Sequence, residues 1–331
     1  MKKILIDPGD FYTKTHVYEV TGRGPESYGQ YFFPSISART QSNESQALRY
    51  EQEGSFYSVG YDCHEAGFDS LHGKAGDFGS DCLNGLLILK KIIFDYSANN
   101  EEIELGILIE TPYKQKIWGE IVEHLNQSVL TVSAIRGFDQ ARIQKTVKLQ
   151  TALLTAGDSL LNFLRTINSE FESALVVDIG YHTTKIYIAN SIEGIASFQL
   201  LDIGIWNYYK IVFGRLLENK IKPDYFWVIK QIEAGLSQLE FESGDLVDIS
   251  QITDQTRWDL NKNLTGFISD FLVSYFTNVT QWVEMMVVTG GGASFMGELL
   301  VESLREGGLD MEDIYIEKFS LYARVNHLIS N

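Results

Sequence analysis

The sequence predicts an α/β protein built from two similar domains, and three observations carry that prediction. First, one device occurs twice: an apolar run ends in Asp-x-Gly and passes through small hydroxylated residues into a second β run. Its first copy runs from Lys3 through Asp7, Pro8 and Gly9 to Thr13 and Lys14. Its second runs from Leu175 through Asp178, Ile179 and Gly180 to Thr183, Thr184 and Lys185. Second, a further apolar run ends in the turn Thr289-Gly290-Gly291-Gly292-Ala293. Third, strand-like and helix-like periodicities alternate along the 331 residues, which is the mark of an α/β chain.

The elements follow in order. Residues 2–7 read as a buried strand, 13–20 as its hairpin partner and 28–33 as a third strand. Residues 35–55 are polar and turn-rich, a peripheral excursion, and 56–60 is a short strand. The stretch 64–81 is glycine-rich and reads as an exposed loop. Apolar residues at helical spacing predict a helix over 83–96; a buried strand follows at 105–109, with Glu101-Glu102 before it as a solvated turn. Pro112 suits the first position of a helix reaching about 127. Strands are predicted at 129–135 and 142–149, then a helix from Leu149 to Leu164. A second meander at 174–178, 184–189 and 195–201 repeats the order of the first, which is the signature of internal duplication. Helices at 204–219, 224–236 and 256–280, a strand at 284–288, a helix at 294–306, a strand at 314–316 and a helix at 319–329 complete the chain. The domain boundaries read as 1–168 plus about 307–331 for one half and 169–306 for the other.

Composition narrows the function. The chain is 44% hydrophobic and 21% charged, as soluble globular proteins are. A net charge of -17 with no basic run argues against direct nucleic-acid binding, but a basic adaptor protein would be attracted. The two cysteines, Cys63 and Cys82, form no CxxC pair and read as free thiols of a reducing compartment. Met1-Lys2-Lys3 and three aliphatics lead straight to Asp7, which is no secretory pattern, and no apolar run approaches the about 20 residues that span a bilayer. A soluble, cytoplasmic protein without membrane attachment is expected.

The two devices and the glycine turn suit a magnesium-bound nucleotide. Mg²⁺ keeps most of its ligands as water, so Asp7 and Asp178, each at the C-terminal end of a strand, would hold it through that shell. Gly9 and Gly180 let backbone N–H groups approach phosphate oxygens. Thr13, Thr183 and Thr184 offer hydroxyl donors, and Lys14 a point charge for the β and γ phosphates. Gly290, Gly291 and Gly292 would let the chain pass beside the base and α-phosphate. Gln150, read as the start of a helix, would orient the attacking water. Against this set, Cys63, His64, Glu65, Asp69, His72 and Asp77 lack a repeated ligand spacing and read as loop residues. Trp206, Tyr208, Tyr209 and Phe213 read as core or interface.

These residues together resemble the actin, heat-shock chaperone and sugar kinase superfamily, whose fold is two duplicated actin-like (ribonuclease H-like) domains flanking a nucleotide cleft. Asp7 to Lys14 looks like its first phosphate loop, Asp178 to Thr184 its second, and Thr289 to Ala293 its adenosine loop. Leu149 to Ala156 resembles its connecting helix, which in actin opens on a catalytic glutamine, matched by Gln150. The segment from Asp202 and Gly204 through Tyr209, the chain length and Thr111-Pro112-Tyr113 look most like the ParM-type plasmid-segregation actins. That resemblance implies an ATPase (with GTP as a second possible nucleotide) that uses Mg²⁺ and polymerises with itself. It also implies filaments that segregate plasmid DNA through a DNA-binding adaptor. Three departures stand out. ParM commonly has an acidic residue where Gln150 falls, Pro8 stiffens the first loop, and Asp10 occupies a position where Ser or Asn often meets phosphate, so Asp10 is given no role. The competing functions are a small-molecule kinase on the same fold and a non-polymerising cell-division or pilus-assembly scaffold.

Overall fold

The computed structural model describes residues 2–9, 12–21, 24–35, 37–40, 48–65, 82–109, 112–125, 129–136, 141–218, 221, 225–240, 246–276, 283–309 and 313–316. These divide into two compact units, the first running through Asn162 and the second from Phe163.

The first unit opens on an antiparallel meander of β1 (Lys2–Pro8), β2 (Tyr12–Thr21) and β3 (Gly24–Pro34). Then come β4 (Ser37–Thr40), β5 (Arg49–Gln52), β6 (Ser55–Val59), α1 (Tyr61–Glu65), α2 (Cys82–Tyr96) and β7 (Glu101–Ile109). The unit continues with α3 (Pro112–Leu125), β8 (Val129–Arg136), β9 (Ala141–Thr155) and α4 (Ala156–Ile167), the last crossing the division between units. A nine-stranded sheet has the order β3-β2-β1-β7-β9-β8-β5-β6-β4. β7 lies parallel to β1 on one side and to β9 on the other. The core forms where this sheet meets α2 and α3: Ile4, Ile6, Leu87, Ile92, Leu105 and Trp118 are fully buried in one cluster.

The second unit repeats the scheme without the additions. Its meander is β10 (Ala174–Ile179), β11 (Thr184–Asn190) and β12 (Gly194–Leu201). After it come α5 (Ile205–Glu218), α6 (Tyr225–Glu233), β13 (Gln238–Glu240), β14 (Leu246–Asp248), α7 (Ser250–Tyr275), β15 (Met285–Thr289), α8 (Ala293–Glu306) and β16 (Asp313–Ile316). The sheet order is β12-β11-β10-β15-β16, and among the described residues β13 pairs with β14 in a separate ribbon. Third, second and first meander strands followed by two parallel strands is the same order as β3-β2-β1-β7-β9. β10 and β15 are buried along their whole length, as central strands covered on both faces are. α8 buries Ala293, Met296, Gly297, Leu300, Val301 and Leu304, a stripe at helical spacing. It stops at Gly307-Gly308, where Gly308 adopts φ +89° and the Leu309 N–H returns to the Leu304 carbonyl at 3.0 Å.

Three expectations change. Within 35–55, read as a peripheral excursion, Ser37–Thr40 and Arg49–Gln52 instead form β4 and β5 of the large sheet, where pairing with β6 and β8 buries Arg49 and Tyr50. The helix read from Leu149 begins instead at Ala156, because 149–155 continue β9 in parallel register with β7. The helix preference of Ala and Leu is a weak force, and pairing with a buried strand overrides it. Glu101 and Glu102 belong to β7 rather than to a turn. The predicted helix at 319–329 and most of the loop at 64–81 lie outside the described residues.

Candidate functional site: two matching turns

In the first unit, β1 carries Asp7 to its C-terminal end, where the residue is 2% exposed. The antiparallel register sets Lys14 directly opposite, with its Nζ 4.0 Å from Asp7 Oδ2. The Gly9 N–H donates to the Asp7 carbonyl at 3.0 Å. A Cβ at Gly9 would stand 2.5 Å from the Tyr12 carbonyl oxygen, so the turn closes only around glycine. Ser35 Oγ donates to the Gly9 carbonyl at 2.6 Å and lies 2.8 Å from Thr13 Oγ1, which places the Thr13 hydroxyl as the donor in that second bond.

The second unit repeats the Asp–Lys pairing and the glycine turn, with a different backbone bond at the glycine. Asp178 is 4% exposed at the end of β10, and Lys185 stands opposite it with Nζ 3.5 Å from Oδ2. The Gly180 N–H donates to the Thr183 carbonyl at 2.8 Å, and a Cβ at Gly180 would meet that oxygen at 2.8 Å. Thr184 Oγ1 donates to the Ile203 carbonyl at 2.7 Å. Thr13 pairs with Phe33 and bonds two residues beyond it; Thr184 pairs with Leu201 and bonds two residues beyond that. The expectation that Thr13 and Thr184 present hydroxyls to phosphate is therefore corrected. Both are buried, and both hydroxyls tie the turn to the end of the third strand. Thr183 remains half-buried at the turn.

The glycine turn after β15 packs onto the same place. Asp178 pairs with Thr289, and Gly290, at φ +93°, lies so close that a Cβ would be 2.5 Å from Asp178 Oδ1. The Gly292 N–H donates to the Ile179 carbonyl at 2.8 Å. Gly291 is exposed, with nothing within 4 Å of the position a Cβ would take. The start of α5 is fixed to the turn as well, through the Ile205 N–H to the Gly180 carbonyl at 3.1 Å and the Trp206 N–H to the Tyr181 carbonyl at 2.7 Å. Trp206 stacks on Tyr181 at 5.5 Å, while Tyr208, Tyr209 and Phe213 are buried, as a core reading requires.

Gln150 does not reach this end of its sheet. It pairs with Glu104, which pairs with Lys3, so it stands level with a residue four positions before Asp7, about 13 Å back along the strand. Its exposed amide donates to Glu102 at 3.0 Å. Lys148 and then Gln150 hold the Glu102 carboxyl below the ordinary carboxylate range. The placement of Gln150 at a helix start is corrected, because the strand-to-helix junction lies at Thr155–Ala156.

The sequence reading missed a cavity of about 170 Å³ in the second unit, lined in part by Ile232, Leu236, Ser237, Asp254, Arg257 and Phe295. Cavities of about 150 Å³ accept a benzene ring. The Arg257 guanidinium lies 5.6 Å over the Phe295 ring and 3.7 Å from Asp254. Phe295 stands in the first turn of α8, three residues after Gly292, which is the one hint the sequence offers.

For a metal, each unit supplies one buried carboxylate already facing an ammonium. Among the described residues no group of three or more His, Cys, Asp or Glu side chains could hold an ion. This donor set fits a hydrated Mg²⁺ that arrives on a polyphosphate and is met through water, and does not fit a protein-built cage. No described helix is long and apolar enough to cross a membrane.

No protein-family model and no curated protein sequence matches the chain. Solved structures do. An archaeal actin homologue superposes with a TM-score of 0.70 at 17% identity, covering 99% of this chain and 98% of that one. The same homologue in complex with ADP gives 0.69 at 15% identity over 99% and 98%. A 15-stranded ParM filament from Clostridium botulinum gives 0.69 at 14% identity over 98% of each chain. The fold is actin-like.

Proposed function

We propose that this chain is an actin-like nucleoside triphosphatase that assembles into filaments. The observation that carries the reading is the matched pair of Asp-turn-Lys devices on an actin-like fold. In this reading each turn offers groups suited to Mg-ATP or Mg-GTP. Asp7 in its turn and Asp178 in its own are each suited to the water shell of a magnesium ion, the Gly9 and Gly180 turns and Lys14 to phosphates, and Gly290 to Gly292 to passage beside the α-phosphate. The cavity at Phe295 and Arg257 takes the base. Bound Mg²⁺ would draw charge from the phosphates; the protein's share is to position the triphosphate and exclude stray water. Plasmid segregation through a DNA-binding adaptor, in the cytoplasm, is the proposed setting, supported by the likeness to ParM and by a net charge of -17 that would attract a basic adaptor.

Right-angle light scattering after nucleotide addition, followed by negative-stain microscopy, tests this. A Mg²⁺-dependent rise with visible filaments is expected. Hydrolysis without any rise, stimulated by a small hydroxylated substrate, would replace the reading with a kinase.

A further inference from the structure

Lys14 has a counterpart with no role assigned. Lys185 stands opposite Asp178 in the register that sets Lys14 opposite Asp7. As a bare sequence position it reads as a solvated surface lysine, yet it is 5% exposed and donates to Asp178 Oδ2 at 3.5 Å. Buried ion pairs contribute little net stability, so packing alone gives a weak reason for this one. Asp178 is held from both sides: the ammonium faces Oδ2, and the Gly290 backbone closes on Oδ1. A phosphate approaching the Gly180 turn would meet the carboxylate as a repulsive charge, and Lys185 offsets it.

We propose that Lys185 is a second phosphate-directed lysine, sharing its ammonium between Asp178 and a phosphate oxygen, so that the second turn holds nucleotide even without a divalent cation. This rests on the nucleotide-binding reading above. An ammonium has three donors, so one can stay on Asp178 while another turns to the ligand. Lys185 and Mg²⁺ are then alternative sources of positive charge at one carboxylate. Loss of either is felt most when the other is absent.

The test is the affinity of a fluorescent ATP analogue, read by anisotropy in excess Mg²⁺ and in EDTA. A charged hydrogen bond to phosphate is worth about 10- to 100-fold, so Lys185→Met should lose that much in EDTA and about threefold or less in Mg²⁺. Asp178→Asn should shift the other way, tightening binding in EDTA several-fold, because the ammonium is released from the carboxylate. If Lys185→Met fails to fold, Asp178→Asn with Lys185→Met removes both charges, and it should bind in EDTA more weakly than Asp178→Asn alone. Equal losses in both conditions, or weaker EDTA binding by Asp178→Asn, overturn the lysine's role while leaving the nucleotide reading intact. A wild-type chain that binds no nucleotide even with Mg²⁺ overturns both.

Discussion

Three consecutive glycines give a graded test of the packing at the second turn. Gly290→Ala places a Cβ against the Ile179 carbonyl oxygen and 2.5 Å from Asp178 Oδ1, at φ +93°. The left-handed backbone costs about 1–2 kcal/mol for a residue with a Cβ, and overpacking against rigid backbone adds about 1–3 kcal/mol. Gly292→Ala meets the side chains of Ile179 and Ile205, at 2.5 and 2.7 Å, so the overpacking cost of about 1–3 kcal/mol stands alone. Gly291→Ala meets nothing within 4 Å, and the stiffer unfolded chain should stabilise by about 0.4–1 kcal/mol. Urea denaturation of the three variants should therefore rank Gly291→Ala above wild type, then Gly292→Ala, then Gly290→Ala. The protein's own packing does not require glycine at 291, so this position tests the proposed passage of the chain beside a nucleotide. A methyl placed against bound nucleotide should lower affinity about tenfold or more in a variant that folds normally. If Gly291→Ala destabilises as much as Gly290→Ala, the packing argument is wrong. If it folds and binds normally, nucleotide does not pass there.

Asp178→Ala should abolish Mg-dependent hydrolysis and, by taking the carboxylate away from the buried Lys185 ammonium, cost about 3–5 kcal/mol in urea denaturation; wild-type turnover would remove Asp178 from the site. Gln150→Ala should leave hydrolysis unchanged in a steady-state phosphate-release assay, since its amide is exposed on β9 and bonded to Glu102, and a tenfold loss would contradict the register argument. Thr184→Val takes the hydroxyl donor from the Ile203 carbonyl and should cost about 1–3 kcal/mol with little change in nucleotide affinity; the reverse pattern would restore Thr184 as a phosphate ligand.

Much of the fold was legible because its central strands are buried on both faces. β1, β10 and β15 read as short aliphatic runs ending in Asp or Thr and then glycine, and the structure puts strands there. Helix α3 begins at Pro112, where its fixed φ favours a first turn. The boundary at 149–156 was not legible, because Thr151 to Thr155 mixes residues that suit either state and only the pairing with β7 decides. The hidden roles of Thr13 and Thr184 were equally out of reach: a hydroxyl beside a phosphate-type turn looks the same in sequence whether it faces a ligand or Ser35 and Ile203. The cavity at Arg257 and Phe295 draws on α7 and α8, which no local pattern links.

The paired turns also bear on the order in which the molecule matures. Asp7 meets Lys14 and Asp178 meets Lys185 within single hairpins, so these pairings close short loops and form early. The far rim of the larger sheet depends on remote partners such as Arg49 with Ile135. During refolding, amides of β1–β2 and β10–β11 should gain protection from hydrogen exchange before those of β5 and β8.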